Sequence, residues 1–207
     1  GAGGGEAGAG GAGGAEAGAG GAGGAGGGAG GGGAVAPVIN ELVFNPPGTD
    51  VGCFAELKGT PSASLAGFVL RAINGNGGAL IFEILFTAEH AFDENGYFVV
   101  AQDANVVLPP GAAFIINPVI DLQNGPDNLT LVDPAGVTVD ALGYSDATGA
   151  FNPPNIFLGE GTFALQPLGT SAAGSLSRLP DGADANNNSI DFGVGLRTPG
   201  AANVVGG

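Results

Sequence analysis

One histidine, one cysteine and one short acidic loop are the residues of this 207-residue chain whose types and spacing could do chemistry. His90 lies in Glu89-His90-Ala91-Phe92-Asp93-Glu94, and Cys53 lies in the apolar run Val51-Gly52-Cys53-Phe54. A nucleophile activated by histidine needs that base within hydrogen-bond reach and a third group to orient it. Nothing near Cys53 or His90 supplies such a set, and no Gly-x-Ser-x-Gly elbow is present. A lone cysteine in an apolar run reads as a small buried hydrophobe, with an intermolecular disulfide as the alternative. Zinc needs three or four ligands at recognisable spacing, which one His and one Cys do not provide. No catalytic residue and no cofactor is therefore expected, and the chain does not read as an enzyme.

The best metal candidate is Asp184-Ala185-Asn186-Asn187-Asn188-Ser189-Ile190-Asp191. Asp184, Asn186 and Asn188 carry oxygen at the first, third and fifth places of an EF-hand-like loop, and Asp181 and Asp191 could add ligands. The sixth place lacks Gly, and the twelfth is Gly195 instead of Glu. Asp184, Asn186, Asn188 and Asp191 are thus the set expected to hold a structural calcium ion, if a metal binds at all. The competing reading is a solvated polar turn ahead of a strand at Ile190. Arg178 and Arg197 flank the loop and are expected to pair locally with Asp181, Asp184 or Asp191. Asn128-Leu129-Thr130 and Asn187-Asn188-Ser189 fit the N-glycosylation pattern.

Strands must position these residues. Leu129 and Leu131 alternate with Thr130 and Val132, and Val137, Val139 and Ala141 alternate with Thr138, Asp140 and Leu142. Asp133-Pro134-Ala135-Gly136 between them has type I turn chemistry, so the two runs read as a hairpin with one face in a core. Further strands are expected over Val38–Phe44, Cys53–Lys58, Leu65–Ile73, Leu80–Phe86, Tyr97–Ala101 and Ala113–Ile116, with Ser175–Leu179 the last. Leu80–Phe86 is apolar on both faces except at Glu83 and reads as central. Gly149–Thr170 reads as a long loop or irregular strand pair anchored by Phe151, Phe157 and Phe163. Short strands at this spacing, with turn residues between them and no helical period, predict an all-β sandwich over residues 36–207.

Residues 1–35 form a separate low-complexity segment. Gly1 to Gly33 holds 21 Gly, 10 Ala and two Glu, and EAGAGGAGGA occurs twice in tandem from Glu6 and Glu16. A flexible tether is one reading, because Gly maximises chain entropy and Ala offers little surface to bury. The period of three in Ala permits the other, in which polyproline-like segments from several copies pack side by side.

Composition narrows the partners. Four basic residues stand against 19 acidic ones, a net charge of −15 that repels nucleic acid and anionic lipid surfaces. No apolar run is long enough to span a bilayer. A chain that begins at Gly1 and holds no Met reads as processed, with removal of a secretion signal the expected event and an extracellular or cell-surface location its consequence.

VINELVFNPPG, FAELKG, LAGFVL, YFVVAQD, NLTLVDPAGVTVDALGY, SLSRLPDG, DFGVG and TPGAAN occur in an order that resembles the lamin tail domain family, across about Ala36 to Asn203. The resemblance implies an immunoglobulin-like sandwich of the kind appended to bacterial secreted and surface proteins. It implies a structural role for the two arginines. Fold does not fix function. The first functional expectation is a non-catalytic structural subunit that assembles with copies of itself, as a fibre or matrix, through its Gly-rich segment and sandwich edges. The alternative is a monomeric surface-displayed binding or adhesion module on a flexible tether, derived from a lipoprotein.

Overall fold

The computed structural model describes residues 36–46, 48, 51–146, 151, 155–166 and 174–206. The expectations for the Gly/Ala segment lie outside the described residues. The remainder is all-β apart from one helical turn. The strands are β1 (Val38–Val43), β2 (Phe54–Lys58), β3 (Val69–Asn74), β4 (Leu80–Leu85), β5 (Tyr97–Ala101), β6 (Phe114–Ile116), β7 (Asp127–Val132), β8 (Thr138–Asp146), β9 (Ala164–Gln166), β10 (Gly174–Arg178) and β11 (Phe192–Leu196). The turn α1 (Asn188–Asp191) precedes β11.

One sheet has the order β11-β10-β1-β2-β5-β6 and the other β4-β3-β7-β8-β9. Neighbours are antiparallel except β5–β6 and β8–β9, which are parallel. A single buried cluster takes Ile39, Leu42 and Leu57 from the first sheet and Leu70, Phe82, Leu129 and Leu142 from the second. That shared core makes the pair sandwich-like. A second, smaller cluster lies on the other face of the first sheet, where Val43, Phe54, Val99 and Ala101 meet Val106 and Leu108. The sheet is therefore covered on both faces.

The expected β7–β8 hairpin forms. The Asp133 carboxylate accepts from the amides of Ala135 and Val137, and Gly136 adopts a φ of +85°. The structure decides which face enters the core. Leu142 and Tyr144 stand opposite Leu129 and Asp127, whereas Val137 is largely exposed. A register shift between Leu131 and Val132 sets this pairing, and it brings Asp140 opposite Leu131 on the buried side.

Three other expectations change. The run from Leu80 forms an edge strand, not a central one: Leu80 and Leu85 are 58% and 60% exposed, and Glu83 pairs with Arg71 on β3 at 2.6 Å. Apolar residues on both faces do not distinguish a central strand from an open edge. The third strand starts at Val69, because Leu65 to Phe68 turn against β4, the Leu65 amide donating to the His90 carbonyl and the Phe86 amide to the Phe68 carbonyl. β10 is not the last strand, since Gly193 and Gly195 in β11 pair with Ser177 and Ser175. The Phe151 ring lies 5.1 Å from Phe157 and 5.3 Å from Phe163, so the three do form one anchor. Cys53 is buried in the main core.

Candidate functional site

β10 carries a wholly buried arginine into the end of the sandwich. Arg178 is 0% exposed, and every guanidinium nitrogen has a partner. Nε donates to the Ile39 carbonyl at 2.7 Å, and Nη2 donates to Asp140 at 2.8 Å. Nη1 donates to the Ala183 carbonyl at 3.0 Å and to Asp184 at 3.1 Å, and lies 3.4 Å from Asp191. The Phe192 ring stacks 4.7 Å from the guanidinium carbon. The planar fork of arginine suits this set, which a lysine could not satisfy. Asp140 in turn accepts from the Ile39 amide at 2.5 Å. Burial raises the Asp140 carboxyl, and Arg178 pulls it back.

The acidic loop closes on this arginine, as expected for Arg178, although the main partner is Asp140 from a distant strand. The four residues proposed as calcium ligands receive other work. Asp184 accepts from Arg178 and from the Asn186 amide. Both oxygens of Asp191 accept from the Ala185 and Asn187 amides, at 2.9 and 3.0 Å. Asn188 turns inward: its Oδ1 accepts from the Gly143 and Glu160 amides, and its Nδ2 donates to the Ala141 carbonyl. Asn186 takes a φ of +56°, and the Asn187 side chain caps α1. This donor set fits an arginine and a helix cap, not a calcium cage. Asp140, Glu160 and Asp184 do bring one oxygen each within 4.8 Å of one another. Two of the three already accept from Arg178. Burial, followed by the charges of Asp140 and Asp184, pushes Glu160 up to about 7, and its buried Oε2 has no partner.

A second buried polar site went unrecognised in the sequence. Glu41 on β1 and Glu56 on β2 are cross-strand partners, both 0% exposed, on the outer face of the first sheet. The chain after β11 runs over them. Thr198 donates its amide to Glu41 at 2.9 Å, and Gly200 donates its amide to Glu56 at 2.6 Å. The Asn203 amide donates to Asp181 at 3.1 Å, and its Nδ2 donates to the carbonyls of Asn40 and Arg178. Asn40 bridges Glu56 and Asp181 with its amide at 2.8 and 2.9 Å. Burial pushes Glu41 up to about 7 against the pull of its hydrogen bonds. Burial also raises Glu56 well above the ordinary carboxyl range, despite Asn40, with the Glu41 charge adding to the rise. The sequence signal was a single acid in an apolar strand, in VINELVF and in FAELK. Beside the pair, Asp181 accepts from Lys58 at 2.9 Å and from the Tyr97 hydroxyl at 2.8 Å, with the Lys58 ammonium 3.8 Å over the Tyr97 ring. Asp181 therefore serves Lys58 and not Arg178. Arg197 donates to the Gly174 carbonyl at 2.9 Å.

His90 has a local role. Its Nδ1 accepts from the Thr87 amide at 2.9 Å, and its ring lies edge-on to Phe86 and Phe98. Asn128 is fully buried, holding the Leu158 amide and the Ile156 carbonyl, so the first glycosylation triplet faces the interior. Clefts of 460 and 310 Å³ flank the Pro109–Ala112 turn; the larger is walled by Asp93, Tyr97 and Gly200, the smaller by Ala101, Leu108 and Phe114. Neither gathers a nucleophile and a base. No family model matches the chain, and no curated protein matches it in sequence.

Proposed function

We propose that the protein is a non-catalytic, extracellular structural subunit that assembles with copies of itself, using the Gly-rich segment of residues 1–35 and the edges of an immunoglobulin-like, lamin-tail-like sandwich. The observation that carries this reading is the edge of β4. Six residues, Leu80–Leu85, run along the border of the second sheet with Leu80 and Leu85 largely exposed. β4 carries a register irregularity against β3 at Ile81 and one charge, Glu83; from Phe82 to Leu85 its edge is regular and holds no Lys or Pro, which makes it a template for another strand. The border of β11 is different: the Leu196 amide donates to the Val204 carbonyl and the Gly206 amide to the Val194 carbonyl. β6 and β9 are edges of only three residues.

Antiparallel pairing of β4 with β4 of a second copy must keep core-facing residues opposite one another. A register that sets Phe82 opposite Phe82 also sets Glu83 opposite Ile81, which separates the two carboxylates. Electron microscopy and sedimentation of the full chain test the reading, beside Leu85→Lys and a chain lacking residues 1–33. Filaments or oligomers that disappear in either variant support it. Monomers at all concentrations in the full chain would overturn it and leave a displayed binding module.

A further inference from the structure

The segment after β11 rests on charge that has no adequate counter-charge. Two carboxylates, Glu41 and Glu56, lie side by side on paired strands with no exposure. The groups facing them are few. From β1 comes the Asn40 amide, and from β10 the Ser175 hydroxyl, which bonds Glu41. From β2 comes Lys58, whose ammonium is held by Asp181 together with the Tyr97 hydroxyl of β5. From the segment itself come Arg197, committed to the Gly174 carbonyl, and the neutral amides of Thr198 and Gly200. Ionising both acids therefore places two like charges in one dry compartment closed by neutral backbone.

We propose that Thr198–Asn203 is a pH-sensitive latch, shut over Glu41 and Glu56 when they carry protons and loosened as both ionise, whose release uncovers the border of β11. Lifting the segment lets water reach the carboxylates, so the released form binds protons less tightly than the shut form. The shut form is then favoured below the ordinary carboxyl range and loses its advantage as pH rises to about 7, where Glu41 titrates. Asp181 supplies no pH dependence of its own over this range: burial raises it, but Lys58, Asn40 and the Asn203 amide outweigh that and hold it below its ordinary value, so Asn203 lets go only after the segment ahead of it has lifted. Loosening therefore begins at Thr198 and Gly200. The same chain then turns back along β11, where Val205 bridges Gly195, so its release frees a second long strand edge. The latch stands on its own geometry; its consequence for assembly rests on the strand-edge reading of β4.

The test is amide hydrogen exchange of the full chain at pH 5 and pH 8, corrected for the intrinsic rate, at Thr198, Gly200 and Gly206 against Leu57 and Leu131 in the core. Protection at the first three should fall at least tenfold from pH 5 to pH 8 while staying below that of the core pair, and E41Q/E56Q should abolish the fall. Equal protection at both pH values, or protection at the three as high as in the core, overturns the latch. If the double variant does not fold, the wild-type amide resonances of Thr198 and Gly200 serve: they should shift with an inflection near neutral pH, and a flat response between pH 5 and 8 overturns the latch. Sedimentation of the same samples separates the two ideas. A latch that opens without added self-association upholds the latch and refutes its link to assembly at β11.

Discussion

Arg178 and the Glu41–Glu56 pair are buried on strands of the same sheet, and the chain treats them in opposite ways. Arg178 meets Asp140, Asp184 and Asp191, two carbonyls and an aromatic ring, so every guanidinium nitrogen has a partner. The two glutamates meet neutral amides, the hydroxyls of Ser175 and Thr198, and one another, and Arg197 adds only the smallest pull on Glu41. A buried charge with opposite charge in hydrogen-bond contact is fixed by its surroundings, whereas one without it can shed its charge by taking up a proton. The first site is a rivet, and the second is a switchable contact.

The sharpest way to break this contrast is Arg178→Ala. Removing one partner of a buried ion pair costs about 3–5 kcal/mol and strands the other charges. Urea denaturation should show a loss of at least that size, with Arg178→Lys recovering only part of it. A loss under about 1 kcal/mol would mean that the arginine is not a rivet.

Next in size is the pH dependence. Glu41 moves from 4.5 to about 7 in the folded chain, and each unit corresponds to about 1.4 kcal/mol, so the linkage is on the order of 3 kcal/mol. Its folded value is raised, so this stability is complete below pH 4.5 and is lost as pH climbs to 7. Asp127, pushed up to about 6 by its burial, adds in the same direction. Denaturation midpoints at pH 5 should exceed those at pH 8, and Glu41→Gln should flatten the difference. A midpoint that rises with pH would place the two sites in one class.

Asp140→Asn should cost about 2 kcal/mol by weakening the bond to Arg178 while keeping the Ile39 amide bonded. Thermal melts would read it, and the loss should exceed that for Asp184→Asn, whose side chain is one-quarter exposed. Smallest is Arg71→Ala. Arg71 and Glu83 are more than one-third exposed, so this pair should contribute under about 1 kcal/mol. A larger loss would show that solvent exposure is not what separates strong pairs from weak ones in this chain.

Much of the fold was legible because period-2 runs and turn residues are local signals. Asp133 to Gly136 announced its turn, and the Phe trio announced its anchor. β11 was not legible as a strand, although Phe192, Val194 and Leu196 alternate with Gly193 and Gly195, because two glycines in five residues weaken strand propensity; its pairing with β10 supplies what the local signal lacks. The face of β8 that enters the core was not legible, because a register shift near Val132, invisible in the residues, decides which side is buried. The acidic loop was legible as a polar turn near Arg178, but its purpose was not. Asp140, the strongest partner of Arg178, lies 38 residues away. Glu41 and Glu56 looked like ordinary strand acids, since only the returning chain beyond Arg197 makes them dry.

Arg178 also has a consequence for the order of events in folding. Its partners include Ile39, 139 residues earlier, and β1 pairs with β10 as well as with β2. The first strand therefore waits with one side open until nearly the whole chain has been made. Loop closure over such separations slows folding into the millisecond-to-second range and leaves a sticky border exposed meanwhile. A chain stopped before Gly174 would have neither the arginine nor its strand, and would remain a set of hairpins without a seam.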